Sequence, residues 1–318
     1  MAGLSAANEL VKNGYQVVVL DKGRGVGGRM STRTINEAKA QNYHMLQPVL
    51  QKAKADHGAQ YFSVKTPEFQ ELISQLQSEN IVKEWMIPQR ENVRYVGGKG
   101  MNTIPKKLAQ NLNVVLNEKV VLISENEVKT ESGNTYSFDN LIVTIPIPQI
   151  TDLLNQSKIK ISNQDQAVFD SIHYEPCIAV MVVLSQPTDI VGGGIILENQ
   201  PVAWIADNFQ KGITAIPTAT LHASANYSAK HFDDDLQNVA KDMLSSVNQY
   251  ITPDNVQSFQ VHRWKFSNAV KRYDKPFYQI ENQNIFLGGD GFGIGNVEGA
   301  FLSGYHLGNH IGMLGRID

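Results

Sequence analysis

The sequence predicts an α/β protein in which a doubly wound parallel sheet is interrupted by an α+β region built on an antiparallel sheet. Three observations carry this. The run Val17 to Leu20 is apolar and ends on an acid, Asp21, which in a doubly wound sheet is placed to bind a ribose. Late in the chain, I-F-L-G-G-D-G-F-G ends a second apolar strand in glycines and an acid, and a small-residue helix follows. Between them, from about Gln149 to Tyr273, several strand-like runs surround one good helix, the texture of an antiparallel sheet.

In chain order, M-A-G-L-S-A-A-N-E-L-V-K-N-G reads as a small-residue helix closed by Gly14. Val17 to Leu20 is expected to be a buried parallel strand. Gly23, Gly25, Gly27 and Gly28 then let backbone approach a ligand, with Arg29 and Arg33 supplying positive charge. An acid for ribose followed at once by a Gly-Gly-Arg turn points to a flavin dinucleotide rather than to a nicotinamide bound alone. Thr34 to Ala55 is a polar stretch with no strong period, read as a surface excursion. Thr66 and Pro67 open a helix to Asn80 with Phe69, Leu72, Ile73 and Leu76 as its apolar stripe. Trp85 to Val96 mixes strand-like and turn-like residues, and a glycine-rich loop enters a helix near Pro105. That loop is no P-loop, because its lysine precedes the last glycine.

Val114 to Ser137 carries short strands with a hairpin at Gly133, and Leu141 to Ile145 is a buried strand that Pro146 and Pro148 force out of the sheet. In the middle region the strands are Ile178 to Leu184, Ala203 to Ala206, Ala219 to His222 and Gln257 to Trp264. The helix is Asp233 to Tyr250, with Asp233, Asp234 and Asp235 in its first turn, where acids suit the dipole. The last helix runs from Val297 to about Met313.

The chain has 318 residues, enough for two domains, and its 42% hydrophobic and 19% charged residues are those of an ordinary globular protein. A net charge of -3 gives no reason to expect nucleic acid or an anionic membrane as partner. With neither a long apolar run nor a signal segment, the expected location is the cytoplasm. Cys177 is the only cysteine, which rules out an internal disulfide, and it reads as a buried small residue.

Five blocks are similar to the renalase-like branch of the flavin-dependent amine oxidase superfamily: D-K-G-R-G-V-G-G-R-M-S-T, A-D-H-G-A-Q-Y-F, D-N-L-I-V-T-I-P-I-P, W-I-A-D-N-F-Q-K, and L-G-G-D-G-F followed by V-E-G-A-F-L-S-G. They stand in the family's order from Gly3 to Gly304. The resemblance implies a glutathione-reductase-type, Rossmann-like FAD-binding domain over 1–65, 95–150 and 275–318. It also implies an inserted α+β substrate domain over 66–94 and 151–274, with FAD held noncovalently. Gly3 would seat the pyrophosphate, Asp21 would bind the adenosine ribose, and Lys22 would lie near the adenosine half. Gly28 and Arg29 would approach the pyrophosphate and flavin, and Val120 would read adenine through its backbone. Gly289 and Asp290 would meet the ribityl-pyrophosphate segment, and Val297 would open the helix that faces the flavin pyrimidine. His57, Gly58, Ala59, Gln60 and Tyr61 would run beside the isoalloxazine. In this family Gly3 would be the last glycine of G-x-G-x-x-G, with Asp21 at about the expected ~20-residue spacing. The first strand and the first two glycines are not in the sequence, so the expectation is that the natural chain begins upstream, with Met1 internal to that turn.

Renalase-like flavoproteins oxidise isomers of dihydronicotinamide dinucleotides and pass the electrons to oxygen, giving hydrogen peroxide. The ring nitrogen expels the hydride, so orientation matters more than a general base. Tyr61, Trp204, Asn208, His222 and Trp264 are the candidates for a flat substrate pocket, although Trp204 and Trp264 can equally be core and His222 a satisfied polar group. His57 is a candidate to donate to the flavin or to lend positive charge for oxygen reduction. His306 and His310 have zinc-helix spacing, but no Glu follows His306 and no third ligand is evident, so no metal is expected. Two other readings stay open: oxidation of a small amine between aromatic rings, for which Tyr61 serves but a second ring is not evident, and a flavin-free, inactive relic.

Overall fold

The computed structural model of the protein describes residues 1–35 and 53–314. Helix α1 (Ala2–Lys12) leads to strand β1 (Val18–Asp21), and strands β2 (Thr32–Thr34) and β3 (Lys54–Asp56) pair with each other. Most of the polar stretch expected as an excursion lies outside the described residues. Helix α2 (Pro67–Ser78) follows, then the hairpin β4 (Val82–Trp85) and β5 (Arg94–Gly97), helix α3 (Thr103–Leu108) and strand β6 (Asn113–Leu116). A meander of β7 (Val120–Ile123), β8 (Glu127–Thr130) and β9 (Thr135–Ser137) precedes β10 (Leu141–Val143), α4 (Ile147–Gln156) and α5 (Asn163–Asp170). Next come β11 (His173–Leu184), β12 (Gly194–Ile196), β13 (Val202–Asp207), β14 (Thr218–Ala223), α6 (Ala225–Lys230), α7 (Leu236–Ser245) and β15 (Val256–Lys271). Strands β16 (Tyr278–Gln279) and β17 (Ile285–Leu287) and helix α8 (Asn296–Leu314) complete the described residues.

Two parallel pairs form: β1 lies against β6, and β10 against β17. β1 is less buried than its apolar sequence suggests, with Val18 47% exposed. Strands β11 to β15 form the antiparallel sheet, ordered β12-β13-β14-β11-β15. The strand β11 explains why its sequence is continuously apolar rather than alternating. Ile178, Val180, Val182 and Leu184 pack toward Val239 and Met243 of α7, while Met181 and Val183 pack on Ile35, Ala53 and Ala55. Both faces are covered, so both must be apolar.

Helix α7 starts later than the acids suggest. Asp235 is its N-cap, its side chain accepting from the backbone N–H of Gln237 (3.1 Å) and Asn238 (3.0 Å). Asp233 and Asp234 precede the helix rather than occupying its first turn. The short helices α5 and α6 carry too few residues for a clear period in sequence. Pro146 leads into α4 as its N-cap, which is how the chain leaves the sheet after β10.

Helices α1 and α8 cross in close contact through glycines. A Cβ on Gly304 would collide with the carbonyl of Ala2, and one on Gly308 would lie 2.7 Å from the carbonyl oxygen of Ala6. Gly312 continues the row one turn later, against the side chain of Asn13. This spacing of four sets one helix backbone on the other and fixes where the start of α1 sits.

Candidate functional site

The start of α1, the turn after β1 and the strand end before α8 converge. The Met1 nitrogen lies within reach of the charges of Asp21, Arg29 and Asp290. Arg29 grips Asp290 with both terminal nitrogens, Nη1 at 2.7 Å and Nη2 at 2.5 Å. Its Nη1 also donates to the carbonyls of Phe266 (3.1 Å) and Ser267 (3.2 Å) on β15, and the Tyr174 ring lies 5.8 Å away. Burial, with Asp290 second, pushes the Tyr174 hydroxyl well above its usual range. Arg29 thus fastens the first glycine turn to the Gly289-Asp290 pair and to the antiparallel sheet. This bidentate geometry is the strong form of ion pair.

Asp21 accepts from the backbone N–H of Gly23 at 2.7 Å through one oxygen, and no hydrogen bond reaches the other among the described residues. The carbonyls of Asp21 and Gly23 accept from Glu118 and Asn117, which brings the start of β7, and so Val120, beside the acid. Lys22 is exposed next to it. Glu118 holds that corner in shape by accepting from Thr130, Ser132 and Asn134, bonds that keep its carboxyl below the usual range. Gly3 stands where a Cβ would meet the Thr144 hydroxyl at 3.0 Å, and Gly289 donates to Ser303 Oγ at 2.8 Å.

The loop His57 to Tyr61 lies on the backbone of Arg29. Ala59 N–H donates to the Arg29 carbonyl at 2.9 Å, and a Cβ on Gly58 would collide with that same carbonyl. Gly58 is therefore required by packing on the turn. The carbonyl of His57 accepts from Trp264 Nε1 at 2.7 Å and faces His222 Nε2 at 3.3 Å. The His57 ring stacks on Trp264, centroids 5.3 Å apart, and stands edge-on to His262 at 5.0 Å. Gln60 Nε2 donates to the carbonyls of Asp56 (2.7 Å) and Gly58 (3.1 Å). So His57, Gln60, His222 and Trp264 are brought together.

Burial, reinforced by Arg33, holds His57 down to about 2, and burial holds His222 down to about 4. Both rings are neutral at ordinary pH. The expectation that His57 lends positive charge is corrected by this; donation from a neutral ring is compatible with it. His57 Nδ1 and Gln60 Oε1 are buried with no hydrogen-bond partner among the described residues.

Tyr61 stands apart from these, in an aromatic group with Trp204 (5.4 Å) and Trp85 (6.2 Å). A second and a third ring therefore do accompany it, Trp85 having given no sign in the sequence. Arg90 donates to its hydroxyl at 3.1 Å and Arg94 lies over its ring. Asn208 does not face a pocket. Its side chain accepts from Asp56 N–H at 3.3 Å and donates to Thr220 Oγ1 at 3.0 Å in the interior, so substrate contact by Asn208 is not supported. The sequence missed the reason for its block. Lys211 forms a fully buried ion pair with Asp56 at 2.8 Å, and Asp56 also accepts from Thr32 and Met101. Glu298 was missed too. It accepts from the N–H groups of Lys65 (2.9 Å) and Thr66 (2.7 Å) and from the Thr66 hydroxyl, tying the start of α8 to the start of α2 beside Val297.

An adenine-linked flavin fits this frame. Gly28, at φ +53°, has open space where a side chain would project, and the buried His57 Nδ1 and Gln60 Oε1 are left for a polar ring to meet. Residues 80–307 match the family described as flavin containing amine oxidoreductase, and residues 1–76 match the NAD(P)-binding Rossmann-like domain. Renalase from Mus musculus is 24% identical over 310 residues, covering 89% of this chain and 87% of the relative. Among solved structures, cyclohexylamine oxidase from Brevibacterium oxydans superposes with a TM-score of 0.71 at 10% identity, over 99% of this chain and 97% of its own. Wild-type putrescine oxidase bound to putrescine gives 0.69 at 14% identity, over 98% and 96%. Among the described residues no helix is long and apolar enough to cross a membrane.

Proposed function

The chain belongs to the flavin containing amine oxidoreductase family and is an FAD-dependent oxidoreductase, and from that premise we propose that its donor is a dihydronicotinamide dinucleotide isomer, with oxygen as acceptor and hydrogen peroxide as product. One observation carries this reading: the two histidines that meet at the His57 loop, His57 and His222, are held neutral by burial at ordinary pH. A dihydropyridine loses hydride with the push of its own ring nitrogen and needs no base. When bound, FAD supplies the two-electron acceptor.

The chain's own residues then do three things. Asp21, Arg29 and Asp290 would hold the dinucleotide, with Gly3, Gly28, Gly289 and Val297 giving backbone approach. Trp264 and His222 hold the His57 carbonyl, and with it the loop His57 to Gln60, against the ring system. Tyr61, half-buried and backed by the buried rings of Trp204 and Trp85, would offer flat apolar surface for the donor ring, which is catalysis by orientation. The partition into an FAD-binding part and a substrate part covering 66–94 and 151–274 belongs to the same proposal.

A second reading, oxidation of a small amine, is favoured by the same aromatic group, whose ring faces suit a neutral amine. The two separate in one experiment. The flavin-loaded protein is mixed anaerobically with dihydronicotinamide dinucleotide isomers or with amines, and the visible flavin band is followed. Bleaching by an isomer but not by amines is expected; bleaching by amines alone would replace this reading with the second.

A further inference from the structure

Two guanidinium groups frame Tyr61, and among the described residues neither has an acid to neutralise it. Arg90 Nη2 donates to the Tyr61 hydroxyl at 3.1 Å, and Arg94 stands over the same ring, 5.8 Å from its centroid. The Arg94 donors otherwise reach only the carbonyls of Asn92 and Val93. Arg90 Nε is buried and has no hydrogen-bond partner among the described residues. Among the described residues, no ion pair includes either arginine. Both lie on the turn and strand that close the β4–β5 hairpin, and both are half-buried. The whole chain is acidic, at -3, so this positive corner is local and not a general basicity.

A cation drawn from water without a counter-charge is costly, and Arg in particular presents a planar fork that matches phosphate oxygens. The ring face of Tyr61 that would hold an ammonium by cation–π attraction is already occupied by Arg94. A second cation there would meet repulsion; an anion would complete both guanidinium groups. We propose that Arg90 and Arg94 form a phosphate subsite beside Tyr61, which takes the phosphate or pyrophosphate of a nucleotide substrate and disfavours ammonium substrates. This rests on the hydride-donor reading for which nucleotide is bound, but not for the preference for negative charge.

The test is calorimetric titration of the flavin-loaded protein with ADP-ribose, a pyrophosphate that carries no transferable hydride. The expected result is binding that weakens as salt rises, with Arg90→Gln and Arg94→Gln each lowering affinity about tenfold, the scale of a charge-assisted hydrogen bond. Equal affinity in the wild type and the double variant, or no measurable binding by the wild type, overturns the subsite. Should the variants lose their flavin, the salt dependence of the wild type still decides, since an affinity indifferent to salt overturns it as well. Dihydronicotinamide mononucleotide is added separately under anaerobic conditions. If it fails to bleach the flavin while ADP-ribose binding still depends on the two arginines, the hydride-donor reading falls and the subsite stands.

Discussion

His57 and His222 carry a consequence for acid stability. Their folded-state values, about 2 and about 4, lie below the ordinary 6.5 because burial disfavours the charged ring. As pH falls, the unfolded chain therefore binds protons before the folded one does. The stabilisation is whole above about 6.5 and is lost between there and about 4 for His222, and further down for His57. Each proton taken up only on unfolding costs about 1.4 kcal/mol per pH unit. The urea midpoint is expected to drop between pH 6.5 and pH 5, above the range where carboxylates titrate, and to drop less in His222→Gln; a flat midpoint across that interval would contradict it. Asp56 and Lys211 show what single residues hide from a sequence. They stand 155 positions apart, inside two of the matched blocks, and no local pattern announces that the acid of one block neutralises the lysine of the other. Cys177 was legible, because a small residue leading an apolar run is expected in the core, and burial indeed pushes its thiol up to about 12.

At the scale of elements, the crossing of α1 and α8 makes a ranked prediction. Gly304 would place a Cβ into the Ala2 carbonyl, Gly308 would place one 2.7 Å from the Ala6 carbonyl oxygen, and Gly312 would meet side-chain atoms of Asn13, the nearest at 2.9 Å. Substitution to Ala is expected to cost about 3 kcal/mol or more at Gly304, about 1–3 kcal/mol at Gly308 and under about 1 kcal/mol at Gly312. Urea unfolding of the variants measures this, and a larger loss at Gly312 than at Gly304 would refute the packing described. The parallel strands, the last helix and Thr66-Pro67 were legible because each follows from local chemistry: an acid closing an apolar run, proline at a first turn, glycines before a small-residue helix. The Asp233–Asp235 acids misplaced the start of α7, since acids favour both the first turn and the N-cap and only geometry separates the two. The β4–β5 hairpin gave no function because its value lies in what it brings to Tyr61, about thirty residues upstream.

Across the whole molecule, parallel strand pairs early and late in the chain are interrupted by an antiparallel sheet, as expected, although the parallel strands form two separate pairs, β1-β6 and β10-β17, rather than one sheet. Arg29 with Asp290, His57 with Trp264, and Asp56 with Lys211 each join segments at least 150 residues apart. Such pairings decide the site and are invisible to any short window of sequence, which is why the cofactor was readable and the surroundings of the substrate were not. The seam between α1 and α8 has a further consequence in the cell. The ribosome releases the first helix about 280 residues before the last, and at about 5–20 residues per second this leaves the nascent glycine turn without its permanent neighbour for on the order of 15–60 seconds. Translation arrested just before Asn296 is expected to yield a colourless nascent chain that yellows only when synthesis resumes, and a stalled chain already yellow would show that the dinucleotide does not wait for the final helix.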